Sequence, residues 1–241
     1  VLVALAVIVL AAVWLGTLVR PEPPGDSSPE AGFARDMLVH HAQAVEMAEL
    51  ARFRTQDPAV RTLATDIALT QQAQIGQVRG WLDVWGLPVT RRAPAMAWMG
   101  HPTAGLMPGM ATPAQVRALS TGPPAEADVA FLQAMIPHHR AAVAMADAVL
   151  ERTGVDEVRR LAAGIVAAQR SEIRGMQDLL RAKGVRVDAA GEVSMPADTA
   201  AGHGGFFGSV GATWRSTVRL APLAARADIF DNRRVFILRR E

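Results

Sequence analysis

Two short runs carry the side chains best suited to chemistry: Met37-Leu-Val-His40-His41 and Met135-Ile-Pro-His138-His139. Each sets a thioether three and four residues ahead of two imidazoles, a spacing that gathers them on one helix face. At about 100° per residue, Phe33, Met37, His40, His41, Ala44, Met47 and Ala48 fall within an arc of about 120°. That arc is the apolar one, and Arg35, Glu49 and Arg52 lie largely away from it. The second run repeats the pattern with Phe131, Met135, His138, His139, Ala142 and Met145. Further on, Ile165, Gln169, Glu172 and Met176 share a stripe, matched earlier by Ile67, Gln71, Gln74 and Val78.

An interior holding four imidazoles needs a reason, because a buried polar group without a partner costs about 1–3 kcal/mol. One explanation is mutual hydrogen bonding, with Gln71, Gln169, Glu172 or the backbone as partners, in a structural or interaction module. The other is a transition-metal site. Neutral imidazole ligates copper, zinc, iron or nickel, and thioether sulfur favours Cu(I). With no cysteine in the chain, copper leads. The expected principal ligands are His40, His41, His138 and His139. Met37, Met47, Met135, Met145 and Met176 are soft supplements. Gln169 and Glu172 add oxygen, Glu172 as a ligand or as the group orienting an imidazole. Met96, Met99, His101, Met107 and Met110 form a second methionine-rich stretch, suited to packing or to weak capture of Cu(I).

Other chemistries are poorly served. The absence of cysteine and tyrosine excludes thiolate sites, disulfides and tyrosyl acids or radicals. The inward acids are too few for a di-iron carboxylate bundle. Neither a Ser-His-Asp nor a phosphate-loop signature is present. Catalysis is therefore not expected, and a metal-dependent redox enzyme is the third alternative. A net charge of +2 gives no long-range attraction to nucleic acid. The isoelectric point near 10.2 reflects an excess of arginine over a single lysine, Lys183.

The elements that must position these groups come from a duplication. A shift of 98 residues lays Phe33, Met37, His40, His41 and Met47 on Phe131, Met135, His138, His139 and Met145 without a gap. It also lays Arg54-Thr55 on Arg152-Thr153, Gln71 on Gln169 and Gly86 on Gly184. Each unit reads as two helices, over residues 31–54 and 58–85 and again over 125–152 and 156–183. Asp57-Pro58 is a start signal, and Gly86 and Gly184 are stops. Two tandem αα-hairpins bury their stripes best as an all-α four-helix bundle. The duplicated domain thus covers 31–186, with repeats at 31–87 and 125–186 and a methionine-rich joint at 88–122 holding a short helix near Pro113. Pro137 lies inside the third long helix beside the second His pair and should bend it. No strand is expected. Residues 187–241 read as a basic, disordered tail. Residues 1–19 are uncharged and long enough, at about 28 Å, to span a bilayer as a transmembrane helix. A cleaved signal peptide is the competing reading. A linker at 20–30 follows, and either reading puts the folded domain outside the cytoplasm.

Phe131-Leu-Gln-Ala-Met135-Ile-Pro-His138-His139, then Ala142-Val-Ala-Met145-Ala146, Leu161-Ala162, Ile165 and Gln169-x-x-Glu172-Ile173-x-x-Met176, resembles the domain of unknown function 305 family. The likeness covers about residues 31–186 and includes Met107-Pro-Gly-Met110. It implies a ferritin-like helical bundle exported from bacteria, often behind an N-terminal membrane anchor. It also implies, as in some relatives, copper binding and copper tolerance through His and Met residues. The first half departs from the pattern, since Gln74 and Val78 stand where the second half has Glu172 and Met176. The resemblance names no protein partner.

Overall fold

The computed structural model describes residues 22–188 and isolated positions at 5, 6, 10, 193 and 194. Helix α1 (Pro29–Arg54) and α2 (Pro58–Val84) form one hairpin; α4 (Pro124–Leu150) and α5 (Asp156–Ala182) form the other. The short helix α3 (Pro113–Ser120) and a one-turn 3-10 helix (Ala97–Met99) lie in the joint between them. Local chemistry sets the limits. The Ser28 hydroxyl accepts from the Ala31 N–H, and the Asp57 carboxylate from those of Ala59 and Val60, each cap being followed by proline. Helices α2 and α5 stop in the same way. Gly86 and Gly184 take φ of +67° and +79°. The next amides, of Leu87 and Val185, reach back to the Leu82 and Leu180 carbonyls at 2.8 and 3.0 Å, a Schellman closure. The interhelical turns are duplicated as well, Thr55 and Thr153 each accepting from the amide two residues on at 3.1 and 3.0 Å.

The all-α bundle expected from the duplication is present. Within each hairpin the helices pack along their length, and the hairpins meet chiefly through α1 and α4, with little contact between α2 and α5. One apolar cluster joins Phe33 and Met37 of α1 to Met145 and Val149 of α4. A second joins Met47 and Ala51 of α1 to Phe131 and Met135 of α4. Helices α1 and α4 are therefore antiparallel, and an approximate twofold axis exchanges the two repeats. The four histidines belong to neither cluster. They lie near the midpoint of their helices, so a polar layer divides the core in two.

Two features depart from expectation. Arg35 is buried, not outward-facing; its guanidinium donates to the Pro88 carbonyl at 2.9 Å and pairs with Asp26. The linker and joint fold over this flank of α1, which a wheel drawn for an isolated helix cannot show. Residues Arg186–Val187 (β1) and Val193–Ser194 (β2) pair as a two-residue antiparallel ladder where no strand was expected. Helix α4 continues through Pro137, the residue expected to bend it. Among the described residues no helix is long and apolar enough to cross a membrane. The spanning segment expected at 1–19 falls almost wholly outside the described residues, as does most of the tail expected at 187–241.

The joint is held to α1 by a carboxylate that sequence reasoning missed. Asp36 is buried and accepts from the Met96 amide at 2.7 Å, the Trp98 indole N–H at 2.9 Å and the Arg91 guanidinium. Gly32 makes room for Trp98, since a Cβ there would stand 2.4 Å from the indole Cγ. The chain then crosses to the second cluster. Met107 is buried against the first and Ala111 against the second, so Met107–Ala111 straddles the polar layer. Gln43 clamps it, donating to the Ala111 carbonyl at 2.9 Å and accepting its amide at 2.8 Å. Gly109 sits where a Cβ would meet the Pro137 carbonyl at 2.4 Å. Replacing Asp36 by alanine leaves the buried Met96 amide unpaired and should cost about 2–4 kcal/mol. Urea unfolding followed by tryptophan fluorescence measures it, and an unchanged midpoint would show that the joint is held in some other way.

Candidate functional site

The layer is built from the middle of each long helix: His40 and His41 on α1, Gln71 and Gln74 on α2, His138 and His139 on α4, Gln169 and Glu172 on α5. All four imidazoles are fully buried. The His40 and His138 rings stack across the approximate axis, with centroids 3.7 Å apart and planes at 37°. His41 and His139 flank them, at 6.5 Å from His40 and 6.4 Å from His138 respectively. The near-equality of those separations is the duplication expressed in three dimensions.

Partners are scarce. His139 Nε2 lies 2.8 Å from the Glu172 carboxylate. A carboxylate accepts only, so Nε2 carries the hydrogen, and in the neutral ring the lone pair is on Nδ1. That Nδ1, and both ring nitrogens of His40, His41 and His138, have no hydrogen-bond partner within the protein. The Gln74 side chain lies beside His41, and the Pro108 carbonyl toward His40, close enough to favour the charged rings. Neither pair meets full hydrogen-bond geometry. Gln71 is also buried with its amide unpaired, and the Gln169 side-chain oxygen is unpaired too.

Burial holds three of the four imidazoles, His40, His41 and His138, in the neutral form. Burial pushes His40 and His138 well below the usual histidine range, with neighbouring histidines adding to the effect. Burial lowers His41 to about 3. Neutral imidazole offers a lone pair, the state in which it binds metal.

The expected sulfur donors are buried on both sides of the layer. Met37 and Met145 lie in the first cluster, and Met47, Met135 and Met176 in the second. Gln169 is buried, and Glu172 is about one-fifth exposed at its side chain. In the joint, Met96 and Met107 are buried and Met99 and Met110 half-buried against the first cluster, while His101 is exposed. The structure brings His40 to His138 and His139 to Glu172. It does not gather all four imidazoles around one point: among the described residues no three His, Asp or Glu side chains are grouped so as to hold an ion. Thioethers fall outside that grouping. Two surface cavities, of about 380 and 480 Å³, lie elsewhere, beside Arg35 and Trp98 and beside Arg181 and Val187. Neither is lined by a histidine.

The donor set nevertheless fits a soft or borderline transition metal. Seven of the eight ring nitrogens lack a partner within the protein, and an unmet buried polar group costs about 1–3 kcal/mol, which coordination would offset at each nitrogen it uses.

Residues 30–180 match the family model described as Domain of unknown function (DUF305). A DUF305 protein of Streptomyces coelicolor, described as secreted, is similar in structure. It is 51% identical with a TM-score of 0.64, over 66% of this chain and 96% of that one. CopM in its Cu(II)-bound form is similar at 30% identity and a TM-score of 0.52, over 64% and 97% of the two chains. The uncharacterized protein L153 of Acanthamoeba polyphaga mimivirus is 37% identical over 51 residues, which span 21% of this chain and 34% of that protein.

The lowered histidines make stability depend on pH with a definite sign. Below about pH 6.5 the unfolded chain takes up protons that the folded chain refuses, down to about pH 3 for His41. Stability of the metal-free protein is thus flat above pH 7 and falls on acidification. The loss is up to about 1.4 kcal/mol per pH unit for each of His40, His41 and His138. Urea midpoints between pH 8 and pH 5 test this, and His41→Gln should reduce the slope by about one proton. A midpoint constant from pH 7 to pH 5 would contradict burial of the rings.

Proposed function

The chain belongs to the DUF305 family, and from that premise we propose that it is an extracytoplasmic metal-binding protein that sequesters or passes on copper without turnover. The carrying observation is the mid-plane layer of fully buried imidazoles whose nitrogens have no partner in the protein. His40, His41, His138 and His139 are the pool from which the nitrogen donors are drawn. Met37, Met47, Met135, Met145 and Met176 supply sulfur, and Gln169 and Glu172 oxygen. Neutral imidazole and thioether side by side, without cysteine, suit copper and Cu(I) in particular. The copper held by CopM, 30% identical, supports the choice of metal. The relative described as secreted supports placement outside the cytoplasm, and the uncharged run at 1–19 supports a single membrane-spanning anchor. Copper here is cargo. The protein's part is to keep the rings neutral, dry and aimed inward.

Among the described residues no three His, Asp or Glu side chains are grouped to hold an ion, and in the competing reading the layer is structural and the packed rings specify how α1 and α4 pack. The two readings diverge on titration. At a hundredfold excess of free ion over Kd, Cu(I) should stabilise the folded chain by about 2.7 kcal/mol, raising the melting temperature by roughly 5–10 °C. The His138→Ala, His139→Ala double variant, checked for helicity by circular dichroism, should lose most of that shift. Isothermal titration with Cu(I) and Cu(II) gives the affinities. No uptake, or uptake unchanged in the double variant, would return the layer to a structural role.

A further inference from the structure

The approximate twofold axis pairs His41 with His139, Gln74 with Glu172, Met37 with Met135 and Val78 with Met176. Geometry is preserved across it, chemistry is not. In the second half, Glu172 takes the Nε2–H of His139 at 2.8 Å. One tautomer is thereby fixed, with the lone pair on a buried, unpartnered Nδ1. Met135 lies one turn before His139 on α4, and Met176 one turn after Glu172 on α5. Because α4 and α5 are antiparallel, both thioethers fall on the same side, buried together in the second cluster. In the first half, both nitrogens of His41 and the side-chain oxygen of Gln74 are buried without a hydrogen bond. No tautomer is imposed there, and Val78 removes one sulfur from the first cluster. The inner pair does not compensate. The His40 and His138 rings press against each other, with centroids 3.7 Å apart and planes tilted by 37°, and imidazole lone pairs lie in the ring plane, not across that contact.

We propose that each chain takes up one Cu(I) ion, on the second-half side of the layer at His139 Nδ1 with the sulfurs of Met135 and Met176. Glu172 acts as the positioning residue that presents that nitrogen, and Gln74 with Val78 withhold a second site from the first half. This rests on the metal-binding reading and adds a stoichiometry, a donor set and a determinant. A carboxylate behind a ligating imidazole fixes its tautomer and raises its basicity, and removing such a partner weakens metal binding by about 10–100-fold. An amide is neutral and can donate as readily as it accepts, so Gln74 cannot substitute.

The test is anaerobic titration of the full chain with Cu(I) against a competing chromophoric chelator, together with 15N spectra of the metal-free imidazoles. The unaltered chain should bind one Cu(I). Glu172→Gln should bind about 10–100-fold more weakly at an unchanged melting temperature, its His139 signals moving from a single Nε2–H tautomer to a mixture. Gln74→Glu combined with Val78→Met should bind two. Should that double variant not fold, the Glu172→Gln affinity and the tautomer spectra decide alone. Two equivalent ions on the unaltered chain, or undiminished affinity in Glu172→Gln, would overturn the proposal. Binding that survives His139→Ala but is lost in His40→Ala, His138→Ala would overturn it while leaving the metal-binding reading intact. No binding by any form would remove both.

Discussion

Four buried imidazoles occupy the mid-plane of an otherwise apolar bundle with almost no protein hydrogen bonds to satisfy them, and much of the architecture answers to that constraint. The layer splits the hydrophobic core into two clusters, so neither half of the bundle is held by a continuous apolar interior. Compensation comes from outside the layer. Asp36 pins the joint through three donors. Lys183 bridges Asp57 and Asp128 at 2.6 and 3.3 Å, tying the turn of the first hairpin to α4 and the end of α5. Gln43 and Gly109 seat the Met107–Ala111 crossing over the layer. A dry, closed setting strengthens any electrostatic contact made inside it and keeps the rings neutral.

Duplication explains how such a layer could be assembled from one motif. A single hairpin bearing Met-x-x-His-His presents two imidazoles on an apolar face. Apposing a copy around a twofold axis buries both pairs at once, and the matching 6.5 and 6.4 Å ring separations retain that origin. Divergence then acts on equivalent positions. Val39 and Pro137, Gln43 and Ala141, and Gln74 and Glu172 each occupy matching places with different chemistry. The first two differences shape how the joint lies across the layer; the third bears on the imidazole behind it.

Helix identity was legible because apolar period, caps and stop glycines agreed. Helices α1 and α4 begin at Pro29 and Pro124, within two residues of the expected starts at 31 and 125. Inward placement of His40, His41, His138 and His139 followed from the arc they share with Phe33, Met37, Phe131 and Met135. Tertiary consequences of the irregular joint were not legible. Arg35 and Asp36 lie on a flank that an isolated helix exposes, and only the fold of residues 88–103 buries them. The stacking of His40 on His138 depends on the crossing of α1 and α4, and the Glu172 bond to His139 on the register of α4 against α5. Spacing along one chain fixes neither. Exposed His101 shows the complementary lesson, since metal-friendly spacing in a loop did not bring it into the core.

Whether copper occupies the layer is decided most directly by an anomalous difference map at the copper absorption edge, from crystals of the loaded full chain. The account expects one peak inside the bundle between the two apolar clusters, with imidazole nitrogen and thioether sulfur as nearest atoms. A peak confined to the surface, as at His101, with the buried rings unchanged, would contradict it.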